Sequence, residues 1–390
     1  MTTSSFGHEG GLDLARMRRD RRRKLVDAMQ ANDLDALVLL GQNNVGYATG
    51  ARAPMADAAR AGAQRMVAIV TPDDTRLFTS FPDGIPPELS ADQVLDPVAL
   101  ESDDGARALA GALPPGRVGF DELTMPLRAA LDGREALDAG VALSAAKLVK
   151  TPDEIECIRR AQSINEEAML DVEAMLAPGV PATALTGRFL RRVFELGATS
   201  NTVEPIFQVM PSRIADGPYS ATGDLVFPTV TKREAVADGD VIWVDTGIDF
   251  HGYKSDFGRT WVVGGEVDER RRDQFRRWHE VVDRVLDVMK PGATGADLTR
   301  AAGEVAGRRP WLPHLYLAHG TGTDSAEMPL IGTDLGPDFD ESIVLAPGMV
   351  AVLEPVIWDD GYAGYRSEEI VVVTDDGHTM LSDHHYWPYA

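Results

Sequence analysis

The sequence predicts an α+β chain of two domains, a smaller α/β one followed by a larger one that carries the chemistry. Three observations lead there. The first 146 residues alternate short apolar strands with helical stretches. A capped helix then opens at Thr151-Pro152. Beyond it, strands gather in two places, each strand pair bearing acids: Val241 to Val263 and Val350 to Thr374.

Taken in order, Met1 to Gly11 is small, polar and glycine-rich and reads as a disordered start. A helix is expected over about Asp13 to Asn32, burying Leu14, Met17, Leu25, Val26 and Met29. Its basic run, Arg16 to Lys24, reads as a solvated face. Leu34 to Leu40 is a buried strand, Asn43-Asn44 a turn, and Val45 to Thr49 the start of the next element. Met66 to Val70 and Arg76 to Phe78 are strands joined by Thr71-Pro72-Asp73-Asp74. Val118 to Phe120 and a helix-like 126–138 region complete the pattern. This domain has no phosphate-binding glycine loop and no dense set of metal-ligand types, so no catalytic role is assigned to it.

The boundary is placed between 146 and 147. Thr151 with Glu154 three residues later forms a capping box, and Pro152 suits the first helical position. A long helix to about Leu176 follows. Met175 to Leu185 resembles Val288 to Leu298: helix, Pro-Gly loop, helix, then strands, twice over.

In Val241 to Val263, two apolar arms each carry one aspartate. A hairpin centred near Phe250 sets Asp245 roughly opposite Asp256. Facing carboxylates repel unless a proton or cation lies between them. The later hairpin turns at Asp359-Asp360-Gly361, with Glu354 on one arm and Glu368 or Glu369 on the other. Asp245, Asp256, His319, Glu354 and Glu368 are the candidate constellation. Four carboxylates and an imidazole suit two divalent cations, roughly 3.5–4 Å apart, sharing a water. The oxygen-rich set favours Mn²⁺, Co²⁺, Fe²⁺ or Zn²⁺ in a catalytic role over a closed structural zinc site, with Mn²⁺ the first expectation. Asp245-Thr246-Gly247 also matches the aspartic-protease tripeptide, but no second copy occurs in a comparable strand setting.

Composition bounds the rest. With 44% hydrophobic and 25% charged residues the chain is ordinarily globular. A net charge of -23 argues against nucleic acid or an anionic membrane as partner. The lone Cys157 sits among helix apolars as a packing residue, and no disulfide within the chain can form. No apolar run reaches the ~20 residues of a membrane helix, so the expected location is cytoplasmic.

The second domain resembles the pita-bread metallopeptidase family (M24) of Xaa-Pro dipeptidases, Xaa-Pro aminopeptidases and methionine aminopeptidases. VDTGIDFHGYKSDFGRT resembles its paired-aspartate segment, AHGTG at Ala318 to Gly322 its histidine segment, and LAPGMVAVLEP and YRSEEIVVVT its two glutamate segments. KLVKTPDEIECIRRA resembles the helix that opens the catalytic domain in the prolidase branch, and the preceding part a creatinase/prolidase-type N-terminal domain. The resemblance implies a pita-bread catalytic fold, a dinuclear centre and a dimer. It makes Asp245 a ligand of one metal, Asp256 and Glu368 bridges, His319 a ligand of the other, and Glu354 both ligand and general base. Its register chooses Glu368 over Glu369. It makes Arg366 the fork for a substrate carboxylate.

Two positions depart from the prolidase pattern: Thr229 and Ala326 stand where prolidases carry histidines that bind the substrate carbonyl and move protons. His314 or Glu327 are candidate substitutes. The expectation is a small Xaa-Pro-like peptide substrate. The alternatives are an osmolyte-like molecule, as in the dimethylsulfoniopropionate lyase, ectoine hydrolase and creatinase branches, or a silent binding protein. LDLARMRRDRRRKL with NNVGYAT somewhat resembles the lyase branch, but Gly247 stands where that lyase has an extra aspartate.

Overall fold

The computed structural model describes residues 11–53, 64–82, 85–203, 205–213, 234–307 and 316–390. The chain divides into two compact units that part between Asp153 and Glu154.

The first unit opens on helix α1 (Leu14–Ala31), whose Asp13 side chain caps Arg16 N. Met17, Arg21, Leu25 and Met29 recur every four residues on its buried side. The basic run is not simply a solvated face. Arg21 is buried, Arg18 pairs with Glu88, and Arg22 donates to the carbonyls of Thr71 and Pro72. The long stems of arginine cover apolar surface while their heads find oxygen.

Strand β1 (Ala36–Leu39) is followed by α2 (Gln42–Thr49). Asn43-Asn44 therefore lies in a first helical turn, not in a free turn; Asn44 Nδ2 donates to Asp121 at 2.8 Å. Strands β2 (Val67–Val70) and β3 (Thr75–Phe78) form the expected hairpin, closed by Thr71 N to Asp74 O. Then come β4 (Val94–Leu95), α3 (Asp103–Ala112) and β5 (Val118–Phe120). The 126–138 stretch is not one helix. It is α4 (Met125–Ala130), with Pro126 in its first turn, and β6 (Leu137–Asp138). Asp132 and Gly133, both at positive φ, turn the chain between them. Helix α5 (Gly140–Leu148) closes the unit. The sheet order is β4-β3-β2-β1-β5-β6, with a separate apolar layer against each face.

The second unit is built on α6 (Pro152–Glu173) and α7 (Ala182–Glu195), then β7 (Ser200–Asn201) and β8 (Ile206–Val209). Strands β9 (Val241–Thr246), β10 (Ile248–Phe250), β11 (Tyr253–Lys254) and β12 (Phe257–Val262) follow. Met169, Val172, Phe189 and Val193 of the helices pack against Phe207, Ile242, Val244, Phe257 and Trp261 of the strands. Cys157 is buried, as a packing residue should be. A second helix pair, α8 (Glu269–Val288) and α9 (Gly295–Ala306), leads into β13 (Ala318–Gly320) and β14 (Glu327–Ile331). Gly179 and Gly292, in the two Pro-Gly loops, both take positive φ, so the same stop-and-restart chemistry serves both pairs. Short α10 (Pro337–Ser342) precedes β15 (Val350–Leu353), β16 (Val356–Asp359), β17 (Ala363–Arg366), β18 (Glu369–Val373) and β19 (His378–Met380).

These strands make a β12-β9-β8 sheet, a β11-β10-β7 sheet, a five-stranded β14-β13-β15-β18-β19 sheet and the β16-β17 ribbon. Among the described residues no helix is long and apolar enough to cross a membrane.

Candidate metal centre

The aspartate pair comes from the end of β9 and the start of β12. The register is offset by two from the simple hairpin: Asp245 lies opposite Gly258, not Asp256. The reason is an inner ribbon. Phe250 pairs with Tyr253 around His251-Gly252, both at positive φ, so the turn is centred one residue later than expected and every outer pair shifts by two; β10 and β11 join β7 in their own sheet. Asp256 sits just outside the β12 ladder, yet it still converges with Asp245. Oxygens of Asp245, Asp256 and Glu368 lie within 4.8 Å of one another.

Gly258 explains how Glu368 gets there. A Cβ at this position would lie 2.6 Å from Glu368 Cδ. The missing side chain is the space the carboxylate occupies, and Glu368 N donates to Gly258 O at 3.0 Å.

His319 stands on β13, with Glu354 just past the end of the adjacent β15. His319 Nε2 is 3.3 Å from Asp256 Oδ2 and 3.6 Å from Glu354 Oε1. Its Nδ1 lies 3.0 Å from Gly320 O, an acceptor, so Nδ1 keeps a proton and Nε2 is the atom turned to the carboxylates. Arg366 completes the cluster. Nη1 reaches Asp245 Oδ2 at 3.1 Å, Nη2 reaches Glu354 Oε2 at 2.5 Å, and Nη2 also presses on Glu368 Oε1. The guanidinium lies over the Trp243 ring at 5.0 Å. All five sequence candidates and Arg366 are thus in one place.

The electrostatics are those of excess negative charge out of water. Burial, resisted by Arg366 and helped by Asp256, pushes Asp245 up to about 6. Burial likewise drives Glu368 well above the carboxylate range. Burial alone would discharge His319, but its hydrogen bond to Asp256 and the charge of Glu354 outweigh it and lift the imidazole to about 9. Among the described residues neither oxygen of Glu368 accepts a hydrogen bond; its contact with Arg366 is charge against charge without hydrogen-bond geometry. The buried Glu368 carboxylate, beside three more carboxylates and a ring nitrogen, completes a donor set that fits hard or borderline divalent cations.

Glu369 points elsewhere, as strand alternation requires. It pairs with buried Arg259 at 3.1 Å and accepts from Tyr386 Oη. Arg259 is a residue that sequence reasoning missed. Its Nη1 donates to Glu368 O at 2.7 Å and its Nη2 to His384 O at 2.9 Å, so it fixes the strand that delivers Glu368. Asn165 on α6 was also missed. It donates to Thr246 O and Ser255 Oγ and accepts from Thr246 Oγ1, bracing the chain beside both aspartates. Gln162 accepts from Asp256 N. The available signal was buried polar residues, Glu154, Gln162 and Asn165, falling in the apolar stripe of α6 with Ile158, Ala161 and Met169.

Of the two departures, Thr229 and the candidate substitute His314 lie outside the described residues. Ala326 precedes β14, where nothing on its side chain can donate or accept. Glu327 turns back on its own loop, accepting from Asp324 N over Gly322.

Residues 156–375 match the family model for metallopeptidase family M24, and residues 21–160 that for the creatinase/prolidase N-terminal domain. The chain is 29% identical over 239 residues to an Xaa-Pro dipeptidase of Pyrococcus furiosus, covering 60% of this chain and 63% of that protein. It is 24% identical over 374 residues to an Xaa-Pro dipeptidase of Pyrococcus horikoshii, covering 92% and 96%. The crystal structure of the prolidase from Pyrococcus horikoshii OT3 superposes with a TM-score of 0.74 at 21% identity, covering 94% of this chain and 99% of that one. Dipeptidase PepE from Mycobacterium ulcerans gives 0.75 at 22%, covering 96% and 98%. The shared fold is a pita-bread unit preceded by a creatinase/prolidase-type domain.

Proposed function

As this chain belongs to metallopeptidase family M24, we propose that it is a dinuclear metal-dependent hydrolase that cleaves a small Xaa-Pro-like peptide or amide. The observation that carries this reading is the convergence of Asp245, Asp256, His319, Glu354 and Glu368 in one buried, over-acidic cluster. These five side chains would hold two divalent cations, Mn²⁺ first. Bound there, the cations would supply Lewis acidity towards a water and the scissile carbonyl.

The chain's own residues do the rest. Glu354 takes the proton of the attacking water at a carboxylate oxygen and passes it to the leaving nitrogen. His319 is oriented for its role by the Gly320 carbonyl. Arg366 neutralises Asp245, Glu354 and Glu368. Once those carboxylates are neutralised otherwise, its fork is released for a substrate carboxylate. Residues 147–390 form the catalytic unit in this reading and residues 1–146 an ancillary one. A homodimer and a cytoplasmic location accompany it by analogy.

A second reading keeps the centre and changes the substrate. Ala326 removes the imidazole that the prolidase pattern places near the substrate carbonyl. That favours a small osmolyte-like molecule: dimethylsulfoniopropionate as lyase substrate, or an ectoine- or creatine-type C–N bond. Xaa-Pro dipeptides assayed beside dimethylsulfoniopropionate, ectoine and creatine on the Mn²⁺-loaded protein decide between the two. Turnover of dipeptides alone supports the first reading. Turnover of an osmolyte alone replaces it with the second.

Two further outcomes are expected. Metal affinity should rise with pH. His319 must lose a proton held to about 9, and Asp245 one held to about 6, before either can donate to a cation. Below each value the proton competes, and the raised carboxyl of Glu368 adds to the competition, so apparent affinity falls by at least about tenfold per pH unit below pH 9. Titration calorimetry at several pH values checks this; affinity independent of pH would contradict it. Gly258→Ala should displace the Glu368 carboxylate while leaving the β9–β12 ladder intact. Metal retention should drop about 10–100-fold with unchanged circular dichroism.

A further inference from the structure

The chain after β19 carries two adjacent histidines that the catalytic centre does not use. This segment is anchored. Leu381 N donates to Ile370 O at 2.7 Å, Arg259 donates to His384 O, and Tyr386 donates to Glu369. His384 is 8% exposed, with its ring edge-on to Phe257 at 5.0 Å. Its Nδ1 lies 2.9 Å from His385 O. A carbonyl only accepts, so Nδ1 holds the proton and Nε2 bears a lone pair. That Nε2 is buried and, among the described residues, has no hydrogen-bond partner.

Glu173, the last residue of α6, meets this segment. His385 Nε2 is 2.7 Å from Glu173 Oε2, and one donor atom each from Glu173, His384 and His385 lies within 4.8 Å of the other two. A cleft of about 490 Å³, lined in part by Glu166, Asp383, His384 and His385, opens beside them. The His385–Glu173 hydrogen bond explains only two of the three groups. It leaves the His384 ring with an unmet nitrogen in a place where unmet nitrogens are costly.

We propose that Glu173, His384 and His385 form a second metal site, sharing no side chain with the carboxylate centre, that takes a borderline divalent ion of the Zn²⁺ type. Two imidazoles and one carboxylate select such ions over Mg²⁺ or Ca²⁺, which want oxygen alone. Water from the cleft completes the coordination. Binding releases the proton shared by His385 and Glu173. The ion ties the end of α6 to the C-terminal segment, which Arg259 in turn couples to the strand of Glu368.

The test uses the full chain with the carboxylate centre disabled by Asp245→Asn and Glu368→Gln. Zinc alone is the probe, dialysed against a weak chelator at neutral pH. The expected result is about one retained equivalent, a raised Tm on zinc addition, and at least a tenfold loss of affinity when His385→Ala is added. Co²⁺ in place of zinc should show visible bands that the same substitution removes. Equal retention with and without His385, an adventitious ion only, overturns the proposal, and so does no retention. Should the disabled chain fail to fold, His385→Ala and Glu173→Gln in the otherwise unchanged protein should each lose about one zinc equivalent. Mn²⁺-supported turnover of whichever substrate the protein accepts should stay within about twofold. Unchanged zinc content overturns the proposal there too.

Discussion

Glu354→Gln is expected to cut turnover by about 10²–10⁴-fold with little change in stability. Glutamine keeps the volume of a side chain that is 5% exposed and sits between His319 and Arg366. It cannot accept a proton from water. Arg366 retains Asp245 and Glu368, so the change strands no buried cation. The measurement is kcat at saturating metal, read beside a urea melt. Near-normal kcat in a metal-replete variant would remove Glu354 from the chemistry. Lost turnover with a lowered urea midpoint would make its role structural instead.

Arg259→Met is expected to destabilise the catalytic unit by about 3–5 kcal/mol, because it leaves one member of a buried ion pair alone. Arg259 is 2% exposed and Glu369 3%. The methionine would also abandon the carbonyls of Gly258, Glu368 and His384, which the guanidinium serves together. Arg259→Lys should recover little, since an ammonium cannot span that fork. Arg259→Met with Glu369→Leu should recover part of the loss by removing the stranded carboxylate. Urea midpoints of the single and double variants check this. A loss under about 1 kcal/mol for Arg259→Met would mean the pair contributes only what an exposed one does.

The candidate site was legible in the sequence for a physical reason. Acids on apolar strands have few innocent explanations, and Asp245, Asp256, Glu354 and Glu368 come from two such strand groups. Choosing Glu368 over Glu369 needed the family register, and the structure shows what separates them: one faces the cluster, the other Arg259. The offset of Asp245 from Asp256 was hidden because the inner β10–β11 ribbon depends on positive φ at His251 as well as at Gly252. Asn165 and Arg259 were hidden because their partners lie 81 and 109 residues away along the chain. In the first unit β1, β2, β3 and β5 were plain from apolar runs, while β4 and β6, two residues each, were not. Nor was the short helix at Gln42–Thr49, since its asparagines read equally as a turn until Asp121 is seen to bind Asn44.

The proposed chemistry requires that five separated side chains hold two cations. Metal counting after Mn²⁺ loading and gel filtration tests it most directly, comparing the wild-type chain with Asp245→Asn/Glu368→Gln. The double variant is expected to hold about two equivalents fewer and to have no activity on any substrate of the panel. Equal manganese in both proteins, or none in either, would contradict it.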